Sequence, residues 1–124
     1  KLKEISYIYT ESFAAGELKH GTIALIEENT PVIAVLTQDK LLEKTMSNIQ
    51  EVKARGAYTI IITDKDSKDM ASYADEIIVV PKVYDLFSSI LAVIPAQFIA
   101  YHTSIKKGND VDKPRNLAKS VTVE

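Results

Sequence analysis

Residues 32–36, 58–63 and 76–80 are short, largely apolar runs, and their spacing constrains the fold of this chain more than any other feature. The run 32–36 is continuously apolar instead of alternating, the pattern of a strand covered on both faces, and such strands belong chiefly to parallel sheets. Between the first two runs lies an amphipathic stretch, 41–55. Its apolar positions Leu42, Met46, Ile49 and Val52 form one helical stripe, its other side is charged, and Gly56 stands where a left-handed cap belongs. Residues 67–73 predict a second, shorter helix, and Pro81 ends the third run. A long helix is predicted over 85–107, with Pro95 inside it as a kink point and Gly108 as its stop. Strands alternating with helices imply right-handed crossovers: a three-layer α/β/α sandwich with a mainly parallel, doubly wound sheet, in which all three runs are buried. Ligands of such sheets bind beyond the carboxyl ends of the strands.

The two ends of the chain read differently. Leu2, Ile5, Tyr9 and Phe13 recur at helical intervals, which predicts an opening helix stopped near Gly16. No Ser, Thr, Asp or Asn precedes it, so the helix is expected to begin upstream of Lys1. Residues 22–26 predict one further helical turn. The segment 109–124 has no sustained period and contains Pro114, as expected of a tail or lid. The 124 residues are expected to form one domain, truncated at its amino end and including that tail.

Composition narrows the chemistry. With 15 basic and 17 acidic residues the formal net charge is -2, so no global field gathers nucleic acid or anionic lipid. There is no cysteine, which excludes disulfides, thiolate metal sites and a cysteine nucleophile within these residues. No apolar run reaches the roughly 18 residues that a membrane span needs. The expectation is a cytoplasmic protein with no membrane or nucleic-acid partner, and no ligand cluster calls for a metal or organic cofactor.

Several side chains could carry chemistry. Glu4 stands three residues after Lys1, where the ammonium can stabilise its carboxylate; on the residues alone this is a surface ion pair. His20, in the polar break 17–21, is compatible both with a solvated loop residue and with an imidazole that transfers protons near neutrality. His102, inside the long helix, reads as structural. The basic, proline-stiffened stretch 113–120 suits either a solvated terminus or a lid over an anionic sugar. Thr37-Gln38-Asp39-Lys40, after the first strand, lacks the glycines or serines of a phosphate cradle, and Asp39 would repel a phosphate.

Two blocks carry a resemblance. The opening, Lys1-Leu2-Lys3-Glu4-Ile5-Ser6-Tyr7-Ile8 through Ala14-Ala15-Gly16-Glu17-Leu18-Lys19-His20-Gly21, and the ending, Asp110-Val111-Asp112-Lys113-Pro114-Arg115-Asn116-Leu117-Ala118-Lys119-Ser120-Val121-Thr122-Val123-Glu124, closely resemble the second sugar-isomerase (SIS) domain and tail of the glucosamine-6-phosphate synthase family. That family converts fructose 6-phosphate and glutamine into glucosamine 6-phosphate and glutamate. A glutaminase domain with a catalytic cysteine releases ammonia, and two SIS domains open, aminate and isomerise the sugar. The resemblance implies that Glu4 shuttles a proton between C1 and C2, that Lys1 lines the same pocket, and that His20 opens the sugar ring from across a homodimer. It further implies that Lys119 meets the open-chain ketose and forms an imine with it, while the backbone at Ala118 closes over the sugar. The partners implied are fructose 6-phosphate and glucosamine 6-phosphate, the glutaminase domain and the first SIS domain, with no metal or organic cofactor. In the family the phosphate is held by a serine- and threonine-rich loop of the first SIS domain, of which 37–40 is a degenerate counterpart, so this segment alone is expected to be inactive. Two other readings are a sugar-phosphate-sensing SIS module without catalysis, which would need a phosphate loop, and a deglycase or isomerase with two SIS domains, against which the ending argues.

Overall fold

The computed structural model describes residues 1–115. They divide into two compact units, one formed by Lys1–Glu11 with the chain from Ala96 onward, the other by Ser12–Pro95.

The larger unit holds the sheet. Strands β1 (Pro31–Leu36), β2 (Tyr58–Thr63) and β3 (Glu76–Val79) are all parallel and lie in the order β1-β2-β3, with Ile33 opposite Ile60 and Ile61 opposite Ile77. Helix α2 (Leu42–Lys53) follows β1 after a 3₁₀ turn at Asp39–Leu41, and the short α3 (Ser67–Met70) follows β2. The Asp66 side chain caps α3 by accepting from the Lys68 amide at 2.9 Å.

Successive residues of β2 point to opposite faces, and each face has its own core. Ile61 packs with Leu36, Ile49 and Met70 under α2 and α3, while Ile62 packs with Val80 and Ala92 under the start of the last helix. Helices on both faces of a parallel sheet make the expected three-layer α/β/α arrangement. Gly56 has φ +92 at the turn into β2, and a Cβ there would stand 3.0 Å from the Glu28 backbone, so the turn needs glycine twice over.

One expectation is corrected at β1 and β3, the two edge strands of the sheet. Leu36 is buried, yet Ile33 and Val35 of β1 are 39% and 49% exposed, because α2 covers only the face that carries Ala34 and Leu36, and Val79 of β3 is 56% exposed. A continuous apolar run therefore does not mean that both faces are filled among the described residues.

The last helix, α4 (Ser88–Lys106), is preceded by a 3₁₀ turn at Asp85–Phe87 and runs through Pro95, where the two units divide. From Asp85 to Lys106 it has the length and mean hydropathy, 1.4, of a membrane span, although its polar positions break any uninterrupted apolar run. His102 is exposed on it, beside the Phe98 and Tyr101 rings, and is not part of a core.

In the smaller unit, α1 (Leu2–Ser6) is much shorter than its periodicity predicts. Tyr7 adopts φ 58 and ψ 27 and closes the helix by donating its amide to the Lys3 carbonyl at 3.2 Å. The β-branched and aromatic sequence Tyr7-Ile8-Tyr9-Thr10 favours extended backbone, and Tyr9 is left 77% exposed instead of extending an apolar stripe.

Candidate functional site

Helix α1 carries two of the residues singled out from the sequence, and it brings them together. Lys1 Nζ stands 2.7 Å from Glu4 Oε2, the spacing of three residues placing both on one helical face. The Lys1 ammonium, through its hydrogen bond and then its charge, holds the Glu4 carboxyl below its ordinary range. Both side chains are well exposed, 64% and 41%, so the pair is accessible to a ligand and weak as a source of stability. Glu4 is thus an accessible carboxylate held by a single flexible partner, free to accept a proton when that partner moves away.

The far end of α1 is held much more firmly. Ser6 Oγ donates to the Leu2 carbonyl at 2.6 Å, Ser104 Oγ donates to the Ile5 carbonyl at 2.7 Å, and Lys107 Nζ donates to the Ser6 carbonyl at 2.7 Å. Asn109 Nδ2 adds a second, longer bond to the Ile5 carbonyl at 3.4 Å. A helix of five residues cannot satisfy its last carbonyls internally, and the end of α4 supplies the donors. None of the partners at the end of α4 was found from the sequence, since they lie about a hundred residues from α1; the polar Ser104 on a largely apolar helix was the available signal.

His20 lies in the other unit. It is the last residue of a 3₁₀ helix, Ala15–His20, and not of an open loop, and it is exposed. Gly21, with φ +127, turns the chain into the next 3₁₀ helix, Thr22–Leu25, and leaves the imidazole at a corner. Lys19 pairs with Glu51 of α2 at 2.5 Å and ties that corner to α2. Ala118 and Lys119 lie outside the described residues.

The carboxyl ends of the strands form a second charged region. Asp39, in the loop after β1, pairs with Lys65 after β2 and with Lys82 after β3, the latter at 3.4 Å, and Lys65 also holds Asp64 at 2.7 Å. Lys65 first and Lys82 second keep the Asp39 carboxyl below its ordinary range, and Asp39 and Asp64 raise the Lys65 ammonium above its own. Thr63 Oγ1 is spent inside the fold, donating to the Leu36 carbonyl at 2.9 Å. The place where an open parallel sheet would take an anion is filled by the chain's own carboxylates and their lysines. Lys65 and Lys82 were not read from the sequence as part of this region, because only the parallel register brings their loops to Asp39.

Comparison with known proteins gives this arrangement a context. The SIS domain family matches residues 1–107. Glutamine–fructose-6-phosphate aminotransferase (isomerizing) of Clostridium tetani is 58% identical over 124 residues, which is 100% of this chain and 20% of the relative. The protein of the same name from Brucella abortus is 57% identical over 125 residues, again 100% of this chain and 21% of the relative. Among solved structures, the C-terminal domain of glucosamine-fructose-6-phosphate aminotransferase from Francisella tularensis superposes with a TM-score of 0.82 at 43% identity, over 89% of this chain and 31% of that one. The chain therefore spans about a fifth of the length of the curated relatives it matches.

Proposed function

This chain belongs to the SIS domain family, and from that premise we propose that it is the C-terminal part of the isomerase half of an enzyme that makes glucosamine 6-phosphate from fructose 6-phosphate and glutamine-derived ammonia. The observation that carries the reading is the Lys1–Glu4 pair, an accessible carboxylate kept ionised by a lysine on a helix whose other end is fixed. In this reading Glu4 takes a proton from C1 of the aminated open-chain sugar and returns it to C2. The carbonyl then forms at C1 and the amine remains on C2. Lys1 lowers the charge cost of carrying a carboxylate beside the sugar. His20 opens the ring from a second copy of the chain, which an exposed corner histidine suits. Lys119 forms an imine with the ketose, releasing water, and ammonia displaces it; the Ala118 backbone closes over the sugar.

The charged crest of the sheet supports assigning the phosphate anchor to the first SIS domain, because Asp39 and Asp64 would repel a sugar phosphate here. In the same reading the protein is cytoplasmic with no membrane partner, and the bond from the Ser104 hydroxyl to the Ile5 carbonyl supports the packing of the end of α4 within the protein.

The test is Glu4→Gln in the full-length protein. It keeps size and removes the base, so synthesis from fructose 6-phosphate should fall by about 10² or more, while glutamine hydrolysis in a separate domain survives. Synthesis at the wild-type rate would reduce the pair to a surface ion pair.

A further inference from the structure

A helix of five residues does not hold itself in water, so what fixes α1 (Leu2–Ser6) lies outside it. Two of its own backbone bonds are on the long side, 3.1 Å from the Ile5 amide to the Lys1 carbonyl and 3.2 Å from the Tyr7 amide to the Lys3 carbonyl. The bonds that reach it from the end of α4 are shorter: 2.7 Å from Ser104 Oγ to the Ile5 carbonyl and 2.7 Å from Lys107 Nζ to the Ser6 carbonyl. Ser6 and Ser104 are fully buried, so water does not compete for the hydroxyl contact. A local sequence device aims these donors. Gly108, at φ +72, closes α4 with a pair of bonds, from its own amide to the Ile105 carbonyl at 2.8 Å and from the Asn109 amide to the Ser104 carbonyl at 3.0 Å. That closure turns the chain back and brings the Asn109 side chain to the Ile5 carbonyl as a second donor, at 3.4 Å. Farther along, the Arg115 amide donates to the Tyr7 phenol oxygen at 2.8 Å, at the residue that caps α1.

We propose that Ser104, Lys107 and Asn109 are positioning residues for Glu4, gripping the carbonyls of Ile5 and Ser6 so that the backbone carrying Glu4 is fixed to the end of α4. This rests on the reading of Glu4 as the base. Ile5, the next residue, is bonded at both its amide and its carbonyl, so the backbone that follows Glu4 is pinned at two points. The Glu4 side chain, by contrast, is held among the described residues by the exposed Lys1 alone. Its placement against a substrate is therefore set by the backbone beneath it, and a general base works only within hydrogen-bond reach of the proton it moves. Loosening the grip lets α1 fray, and a misplacement of about 1 Å costs a reaction up to about 10²-fold. The loss falls on kcat, because the three residues act through α1 and not on the sugar.

Ser104→Ala removes the buried donor, and Lys107→Met removes the exposed one while keeping its stem. In the full-length protein, Ser104→Ala should lower kcat for synthesis by about 10-fold and Lys107→Met by about 3-fold, with KM for fructose 6-phosphate held within about twofold and glutamine hydrolysis unchanged. Lys107→Arg can still donate to the Ser6 carbonyl and should restore kcat to within about twofold of wild type. Because the grip acts through Glu4, adding Ser104→Ala or Lys107→Met to Glu4→Gln should lower synthesis no further. A bond that serves stability alone would instead lower the melting temperature and leave kcat per folded molecule at the wild-type value. Wild-type kcat in folded Ser104→Ala or in Lys107→Met overturns the proposal, as do losses that multiply fully with that of Glu4→Gln. Should Ser104→Ala fail to fold, the two Lys107 variants and their combination with Glu4→Gln decide the matter. Glu4→Gln alone separates the two ideas: its wild-type rate refutes the function beneath the proposal, and its loss of synthesis beside wild-type kcat in Lys107→Met refutes the grip alone.

Discussion

Glu4 on α1 and Asp75 ahead of β3 are two carboxylates, one in each unit, and both are held below their ordinary ionisation range. The causes differ. Asp75 is held chiefly by the Thr59 backbone amide at 2.7 Å, then by the Thr59 hydroxyl at 2.8 Å, with Lys53 at 3.2 Å. Thr59 is 1% exposed and part of β2, so those donors cannot leave. Glu4 is held by one exposed lysine that can swing into water at little cost. A depressed pKa by itself does not tell a structural clamp from a carboxylate open to a ligand, and what separates the two is whether the stabilising partner can be exchanged.

The largest expected effect breaks that comparison on activity. Glu4→Gln should cost about 10² or more in synthesis with the melting temperature almost unmoved, whereas Asp75→Ala should leave synthesis per folded molecule near wild type; equal losses of synthesis in both would erase the distinction. Thermal unfolding should show the reverse order. Asp75→Ala strands the buried Thr59 amide and should lower the melting temperature by roughly 5 °C. Because the folded Asp75 pKa is depressed, its contribution is complete above the ordinary carboxylate pKa and is lost as pH falls through the folded value. The gap between wild type and Asp75→Ala should therefore be full at pH 6 and close in strong acid, and a gap independent of pH would assign it to lost packing.

A smaller effect concerns Lys1. Lys1→Met removes the main cause of the low Glu4 pKa, so the acid limb of the kcat/KM profile for synthesis should move to higher pH, with the rate near pH 8 changed less. An unmoved limb would mean that another group sets it. The smallest effect is expected at the strand crest, where Lys82→Ala breaks a 3.4 Å pair between side chains 63% and 56% exposed. Its melting temperature should stay within about 2 °C of wild type.

Some of this was open to reading and some was not. The three strands, the α2 stripe, the Gly56 cap and the long last helix followed from periodicity and punctuation, because each depends on neighbours within about a dozen residues. The Lys1–Glu4 contact was legible for the same reason, being one helical turn. The length of α1 was misread: Leu2, Ile5, Tyr9 and Phe13 satisfy a helical period, but Tyr7 and the extended-favouring residues behind it end the helix at Ser6. His20 was placed in a loop and sits at the end of a 3₁₀ helix, a distinction that depends on a backbone bond spacing no side-chain pattern reports.

The sequence by itself determined the alternation of strand and helix, the parallel sheet, the family resemblance and the candidate residues, since these are written in local spacing and in motifs. Only the tertiary structure decided which charges meet. Asp39 finds Lys65 and Lys82 because parallel pairing stacks three loops at one edge, and Tyr7 finds Arg115 across 108 positions of chain because the end of α4 caps α1. Such contacts lie between segments whose separation along the chain carries no periodic signal, so nothing local can announce them before the chain has folded.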